Sequence, residues 1–203
     1  MKVQWNKFLW IFLVAQILPQ AVHAQQLFTT ARTGGFGSPS LLFGISYTAI
    51  DEDRGENFTL LTARLSVGIG RKTDVFGSFD GVLGDDVLDT NFGAWSAGIK
   101  HQFIRTGIVD IGALVRLRGN LTDRIQFEDA LLDFAGMISV EASIVHPYYA
   151  LVFSRPFGFD FNDDFQRTSV FGVEVPLGDV PRVIGEFSLG DRRSFGVAFK
   201  LDF

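Results

Sequence analysis

Side chains that could act as a general base are few in this chain. It has three histidines, His23, His101 and His146, and no cysteine. A hydrolytic dyad needs a serine or a carboxylate within hydrogen-bond distance of such a base, and none of the three histidines lies where acidic residues cluster. Without cysteine there is neither a thiol nucleophile nor a Cys-ligated zinc site. We therefore predict no catalytic residues and no enzymatic activity.

Two other patterns could bind an ion. Clustered carboxylates at 51–53 and 160–164 offer oxygen ligands of the kind calcium takes, but they lack the spacing and the glycine of an EF-hand loop. Residues 34–37, Gly-Gly-Phe-Gly, lack the Lys-Ser/Thr pair of a phosphate-binding loop. We interpret the acidic clusters as solvated loops, and we predict no metal site and no cofactor.

Composition narrows the class of protein. The chain has 203 residues, 47% of them hydrophobic, with 22 Phe and a net charge of -5. So large an apolar fraction excludes a disordered chain, and the length suits one domain with a sizeable core. The negative charge argues against nucleic acid as a partner, because phosphate binding needs a basic surface.

The first 24 residues have the organisation of a secretory signal peptide. Lys2 and Lys7 precede an apolar stretch at 8–18, and small residues follow up to Ala24. That stretch is shorter than the about 18 to 20 residues that a spanning helix needs, which disfavours the alternative of a membrane anchor. We predict cleavage after Ala24, which leaves a mature chain of net charge -7.

The rest of the chain alternates between apolar and polar residues. In 62–69 every second residue is apolar and those between are polar or small, and the same period of two recurs at 95–103, 109–118 and 194–203. This is the pattern of a β-strand with one apolar face. Along the whole chain it predicts ten strands, at 40–50, 57–70, 74–83, 92–104, 107–118, 134–145, 148–156, 167–176, 182–190 and 194–203.

The predicted strands are long. They exceed the about 5 to 6 residues typical of soluble proteins and match the about 9 to 11 that a tilted strand needs to cross a bilayer. In lipid every backbone polar group needs an internal partner, so spanning strands must close into a barrel. We predict an all-β, antiparallel up-and-down transmembrane β-barrel of about ten strands, with eight or twelve as variants. A secreted β-sandwich is the alternative.

The last predicted strand carries a further motif. Residues 196–203 read Gly-Val-Ala-Phe-Lys-Leu-Asp-Phe, with Phe199, Leu201 and Phe203 on one face. By this motif and by the strand pattern of 40–203, the chain resembles the bacterial outer-membrane β-barrel proteins. The resemblance implies that Phe199, Leu201 and Phe203 form the signal bound by the outer-membrane assembly machinery. It also implies a bacterial outer-membrane location with outer-membrane lipids as partners, and we expect a monomer.

Connections of alternating length orient the predicted barrel. Outer-membrane barrels have short periplasmic turns and long outer loops, so an even strand number places both termini in the periplasm. On this orientation His101 and His146 fall towards the periplasm, away from the outer loops, which disfavours a hydrolase at the outer rim. The four longer connections, each of net charge -3, are 51–57, 84–91, 119–133 and 157–166.

Alternation also assigns the interior of the barrel. The charged residues for which we predict a lumen network are Arg64, Lys100, Arg116, Glu141, Glu174, Glu186 and Lys200. Glu141, Glu186 and Arg64 fall near the middle of predicted strands and are expected at its centre. Because a barrel of this size leaves room for little more than side chains and unpaired buried charge is costly, we expect a packed lumen.

Two functions fit this arrangement. The first is a structural or surface-interacting barrel whose contacts are made by the acidic outer loops, and the second is a narrow channel for small solutes or ions. Residues 25–39 precede the barrel at 40–203. We interpret them as a periplasmic lead-in, with a small plug folded into the lumen as the alternative.

Overall fold

The computed structural model describes residues 27–51, 56–83, 93–121, 130–142, 144–157, 165–190 and 193–203. These residues form a closed antiparallel barrel in which each strand pairs with its neighbours in the chain and the first strand pairs with the last. The strands are β1 (Pro39–Asp51), β2 (Glu56–Gly70), β3 (Thr73–Leu83), β4 (Gly93–Arg105), β5 (Val109–Leu121), β6 (Leu131–Val140), β7 (His146–Pro156), β8 (Gln166–Pro176), β9 (Pro181–Leu189) and β10 (Arg193–Asp202). The predicted all-β, up-and-down barrel of ten strands is confirmed, while the predicted signal peptide at 1–24 lies outside the described residues.

Closure joins the two ends of the chain. β1 and β10 pair from Ser40 opposite Asp202 to Ala49 opposite Arg193, and the N–H of Phe203 donates to the carbonyl of Pro39 at 2.9 Å. The short connections after β2, β4, β6 and β8 lie at this end of the barrel, which we call the short-turn end. At one of these turns Gly107 has a φ of 79°, which a residue with a side chain rarely adopts.

Each strand presents an apolar face outward, and the inward faces carry polar and small residues together with some buried apolar side chains such as Leu114, Val152 and Ile184. Outward-facing apolar side chains more than a third exposed occur on all ten strands, and one example from each, in chain order, is Phe43, Leu61, Phe79, Ile99, Ile111, Phe134, Phe153, Val173, Phe187 and Phe195. A strand has a side-chain period of two, so the paired register carries this division around the barrel. The result is an apolar outer surface around a polar interior, as in barrels that face lipid. No helix among the described residues is long and apolar enough to cross a membrane.

The sixth strand begins earlier than its alternation predicts. β6 spans Leu131–Val140 rather than 134–145, and so it includes Asp133, which we had assigned to a loop. Asp133 faces the lumen opposite Arg116 of β5 and forms an ion pair with it. An acid paired in this way belongs to the wall of a barrel, so its charge was a misleading sign of a loop.

The seventh strand is regular throughout. β7 begins at His146, two residues before its predicted start at 148. Pro156 ends the strand without interrupting its pairing. It is the final residue of β7, where the missing N–H removes no bond from the interior of the ladder.

Candidate functional site in the barrel lumen

The N-terminal residues that precede β1 run inside the barrel. Leu27 and Ala31 have no exposed surface, and Phe28 is 1% exposed, although none of them belongs to a strand. Interior side chains bond their backbone at several points, and we call residues 27–34 the lumen plug. This is the arrangement that the sequence offered as the alternative for 25–39, and a lead-in outside the barrel does not describe the plug.

Two wall residues of opposite charge hold the start of the plug. The N–H groups of Leu27 and Phe28 donate to the carboxylate of Glu186 on β9, the second at 2.5 Å. The guanidinium of Arg64 on β2 donates to the carbonyl of Leu27. Tyr148 completes the set by donating its hydroxyl to Glu186 at 2.5 Å. Hydrogen bonds to ionised groups are stronger than neutral ones, so the backbone of Leu27 is firmly placed.

Inward-facing glycines make room for the Phe28 ring. A Cβ on Gly196 would lie 2.5 Å from Cζ of Phe28, and a Cβ on Gly44 would lie 3.0 Å from its Cε2. A glycine also makes room for an aromatic side chain of the wall itself, since Tyr148 lies against Gly172 on the neighbouring strand. Glycine within a strand often marks such a close approach. The wall is therefore shaped to receive the ring.

The second half of the plug is held by a lysine and an aspartate. Lys100 donates to the carbonyl of Arg32 at 2.5 Å and to Oγ1 of Thr29 at 3.1 Å, and its Nζ lies 3.3 Å from Asp74. Asp74 accepts the N–H of Gly34 at 3.2 Å. Lys100 and Asp74 thus stabilise each other's charge while each binds the plug backbone.

Two side chains of the plug reach the wall as well. Arg32 forms an ion pair with Glu141 at 2.8 Å, and the Thr33 hydroxyl donates to Oε1 of Gln102 at 3.1 Å. Gln102 is fully buried and donates to Asp110 at 2.8 Å. The plug is therefore bonded to β3, to β4 and to the residue after β6, as well as to β2 and β9.

The chain between the plug and β1 lies alongside Gly68 of β2. The N–H of Gly37 donates to the carbonyl of Gly68 at 2.8 Å, and the N–H of Gly68 donates to Ser38 at 3.2 Å. A Cβ on Gly68 would lie 1.6 Å from the carbonyl oxygen of Gly35, so only glycine fits there. Phe36, at the outside of this bend, is 81% exposed.

Beyond the plug, towards the end opposite the short turns, wall side chains fill the lumen by themselves. Asp133 has no exposed surface and lies 2.9 Å from Arg116 and 3.1 Å from Arg118. We call these three residues the Asp133 cluster. Hydroxyl groups on neighbouring strands also bond to each other in this half of the lumen, such as Ser188 with Ser194 at 2.6 Å. This half of the lumen is filled by wall side chains, many of which bond to one another.

A second ion-pair network lies at the short-turn end. Arg182 is 2.6 Å from both Glu174 and Asp202, and Lys200 is 2.8 Å from Asp202. The Nδ1 of His146 lies 3.7 Å from Glu174. We call these five residues the mouth network. They come from β7, β8, β9 and β10 and form one side of the opening.

A cavity of about 410 Å³ lies between the plug and the mouth network. Arg64 and Lys100 line it on the other sides, and Asp179 and Val180 of the turn at 177–180 extend it to the short-turn end. Its lining includes six basic residues, which are Arg32, Arg64, Lys100, Arg105, Arg182 and Lys200, and four acidic ones, which are Asp74, Glu174, Asp179 and Asp202.

The residues predicted to form a lumen network fall into three groups. Arg64, Lys100 and Glu186 hold the plug backbone, and Glu141 binds the plug side chain of Arg32. Glu174 and Lys200 belong to the mouth network, and Arg116 belongs to the Asp133 cluster. Glu141 lies beyond the end of β6 with its side chain 34% exposed, so its predicted mid-strand position is wrong.

Several residues of the site were missed by the sequence reasoning. Asp74 and Tyr148 occupy inward positions of the register, so the alternation that found Lys100 and Glu186 contained the signal for them. The plug residues carry no such signal, because residues 27–34 have no strand period and their partners lie far along the chain. Glu186, for example, is 159 positions from Leu27.

Other candidates lie outside the lumen or outside the described residues. Phe199, Leu201 and Phe203, the predicted assembly signal, lie at the end of the chain; Phe199 and Phe203 are exposed and Leu201 is half-buried. His101 is exposed beside Thr73, 2.8 Å from its hydroxyl. The acidic clusters at 52–53 and 160–164 lie outside the described residues, and among those described no group of three or more His, Asp or Glu could hold a metal ion.

Comparisons with known proteins find similar structures without similar sequences. No protein-family model and no curated protein matches the chain. A de novo designed transmembrane β-barrel is 9% identical with a TM-score of 0.38, covering 89% of this chain and 100% of that one. The KdgM porin, solved in complex with disordered oligogalacturonate, is 9% identical with a TM-score of 0.44, covering 82% and 99%. Omp33 of Acinetobacter baumannii is 8% identical with a TM-score of 0.39, covering 84% and 100%.

Proposed function

We propose that this protein is an integral barrel of the bacterial outer membrane whose lumen is closed by its own N-terminal segment. Its role is then structural or surface-interacting, made through the loops opposite the short turns, rather than free diffusion through the barrel. The proposal depends chiefly on one observation: Leu27, Phe28 and Ala31 are buried inside the barrel and bonded to its wall.

Two layers support a closed lumen. The plug fills the short-turn half, and the Asp133 cluster fills the other half with a carboxylate that has no exposed surface. A continuous aqueous path would have to displace both. Removing one partner of a buried ion pair leaves a charge without compensation, so neither layer opens without cost.

Conductance in planar bilayers tests the closed lumen. The full mature chain is expected to give no steady single-channel current under conditions in which a general diffusion porin, run as the control, conducts. A steady current from the wild-type protein would contradict the proposal. A shift between boiled and unboiled samples on a gel would show that the inserted protein was folded.

The membrane location rests on the outer surface of the barrel. All ten described strands expose apolar side chains outward, which in water would be an aggregation hazard and in lipid is satisfied. We take the signal peptide at 1–24 to direct export and then to be cleaved, and insertion to follow binding of Phe199, Leu201 and Phe203 by the assembly machinery. Outer-membrane lipids surround a monomeric barrel.

Cell fractionation tests this location. The protein is expected in the outer-membrane fraction, and replacing Phe203 with a polar residue is expected to lower the amount assembled there. Recovery of the wild-type protein in the soluble periplasmic fraction would contradict the location.

The second candidate is a narrow channel for small solutes or ions. The cavity of about 410 Å³ favours it, because it already opens part of the lumen from the short-turn end. Conduction would then require a state in which the plug leaves the lumen and the Asp133 cluster rearranges. Currents that appear only after such a change, and not in the resting protein, would distinguish this candidate from the first.

We propose no enzymatic role, and nucleic acid, metals and cofactors are not among the expected partners. Of the two histidines in the described part of the chain, His101 faces outward and His146 contacts Glu174 in the mouth network. A hydrolase assay with ester and peptide substrates is expected to give no activity that depends on His146. Activity that is lost in His146→Ala would contradict this.

A further inference from the structure

The cations that bind the plug backbone also line the cavity. Arg64 donates to the carbonyl of Leu27 and Lys100 donates to the carbonyl of Arg32, and both side chains form part of the cavity wall. Each of these cations is therefore shared between a neutral carbonyl oxygen and an open space. An anion in that space would be a stronger acceptor than a carbonyl.

Arg64 has no carboxylate within ion-pair distance among the described residues, and its acidic neighbours Asp80 and Glu186 attract it at longer range. Arg64 is 8% exposed, its guanidinium lies 5.0 Å from the centroid of the Phe76 ring, and its buried Nε has no hydrogen-bond acceptor among the described residues. Lys100, by contrast, contacts Asp74 directly, and Arg116 contacts Asp133. A buried cation with an unused donor gains from a charged acceptor nearby, so the cavity next to Arg64 is suited to an anion.

The rest of the lining points the same way. Without Arg32 of the plug, the wall residues of the lining are five basic and four acidic, which is a positive formal charge, and the hydroxyl groups of Ser40 and Ser66 on the wall lie among them. Cations and hydroxyls together are the donors that bind carboxylate and phosphate oxygens. Asp179 and Val180 of the turn at 177–180 border the cavity, so a solute would enter from the short-turn end.

We propose that this cavity binds a small solute that carries carboxylate or phosphate groups, with Arg64 and Lys100 as its main cationic contacts. Because the same two side chains hold the plug, binding of the solute and docking of the plug compete for them. The two equilibria are thermodynamically linked, so each weakens the other by the same factor. The site goes beyond the closed barrel proposed above and does not depend on whether the barrel conducts.

Calorimetric titration of the full mature protein in detergent tests the site. Inorganic phosphate and citrate are titrated separately at constant ionic strength, with sodium chloride as the blank. Saturable binding of at least one is expected, weakened about tenfold or more in Arg64→Met, as for the loss of one charge-assisted hydrogen bond. Binding of phosphate alone, or of citrate alone, identifies the group that the site accepts. If neither anion binds saturably, the proposal is overturned.

A matched variant separates the site from the general charge of the lumen. Arg118→Met removes a cation that also faces the lumen but belongs to the Asp133 cluster and does not line the cavity. Its affinity for the anion is expected to equal that of the wild type. An equal loss of anion affinity in Arg64→Met and Arg118→Met would overturn the assignment of the site to this cavity. Folding of both variants is checked by the gel shift on boiling.

A second measurement needs no change at Arg64. The chain has no cysteine, so Thr30→Cys places a single thiol in the plug, at a position that is 6% exposed in the wild type. Its labelling by a membrane-impermeant maleimide is expected to accelerate as the anion saturates, while chloride at the same ionic strength has no effect. Saturable anion binding without faster labelling would keep the anion site but overturn its competition with the plug. If neither saturable binding nor faster labelling is seen, the whole proposal is overturned, whether or not Arg64→Met folds.

Discussion

The two halves of the lumen are filled in different ways. In the half with the Asp133 cluster, wall side chains pair with each other across neighbouring strands, and Arg116 and Asp133 are only 17 positions apart. In the short-turn half, the wall binds the backbone of a separate segment, and Leu27 and Glu186 are 159 positions apart. The first half follows directly from strand pairing. The second requires the N-terminal segment to fold back into the lumen.

This difference predicts which half can change while the barrel stays intact. Strand register brings Arg116 opposite Asp133, so that cluster persists as long as the strands pair. The plug pairs with none of the described strands, since the hydrogen bonds at Gly68 are made by Gly37 and Ser38, which follow the plug. The short-turn half is therefore the adaptable part of the lumen, and the other half is its structural seal.

The largest expected effect comes from breaking the seal. Asp133→Ala leaves Arg116 buried without its partner and is expected to lower the free energy of unfolding by about 3–5 kcal/mol, measured by urea denaturation in detergent micelles. Asp133→Asn keeps an acceptor oxygen and should cost less. The plug contacts lie elsewhere, so labelling of Thr30→Cys in this background is expected to stay slow. Stability within about 1 kcal/mol of wild type in Asp133→Ala would contradict the assigned role.

A smaller effect is expected from displacing the plug by sterics. Gly196→Val puts a side chain where Phe28 lies, since a Cβ there would be 2.5 Å from its Cζ, and overpacking of this kind costs about 1–3 kcal/mol. We expect the plug to be displaced, with fast labelling of Thr30→Cys in a barrel that still shifts on boiling. Gly185→Val is the control, because it lies on the neighbouring strand with no atom within 4 Å of its added Cβ. Equal labelling rates in the two variants would argue that Phe28 does not dock there.

The smallest effect is expected at the edge of the plug. The pair of Arg32 and Glu141 is about one third exposed on each side, and ion pairs in such positions contribute about 0–1 kcal/mol. Glu141→Ala is therefore expected to change the unfolding free energy and the labelling of Thr30→Cys only slightly. A loss of stability as large as that of Asp133→Ala would show that the plug depends on this pair. It would contradict the view that the short-turn half is the adaptable part of the lumen.

The strands were predictable from the sequence because pairing imposes a strict period of two. The same register that puts Leu65 outside puts Arg64 inside, and this holds for each of the ten strands. β6 is where the reasoning failed. The apolar residues that follow Val140 extended the alternation too far, and Asp133 was assigned to a loop because of its charge, although its partner across the strands is Arg116.

The plug could not be derived from the sequence in the same way. Its contacts depend on which wall residues reach the centre of a closed barrel, and no local pattern in residues 27–34 encodes that. The inward glycines hinted at close approaches, yet Gly196 could equally have accommodated a wall side chain, as Gly172 accommodates Tyr148. The position of the plug is a property of the closed barrel as a whole.

The central claim is that the N-terminal segment lies inside the lumen, and thiol accessibility tests it most directly. Thr30→Cys and Phe36→Cys are placed in the same segment, at positions 6% and 81% exposed in the wild type, in a chain that has no other cysteine. In the folded barrel, the impermeant maleimide is expected to label position 36 as fast as in unfolded protein and position 30 far more slowly. Equal, rapid labelling at both positions in the folded barrel would contradict the claim.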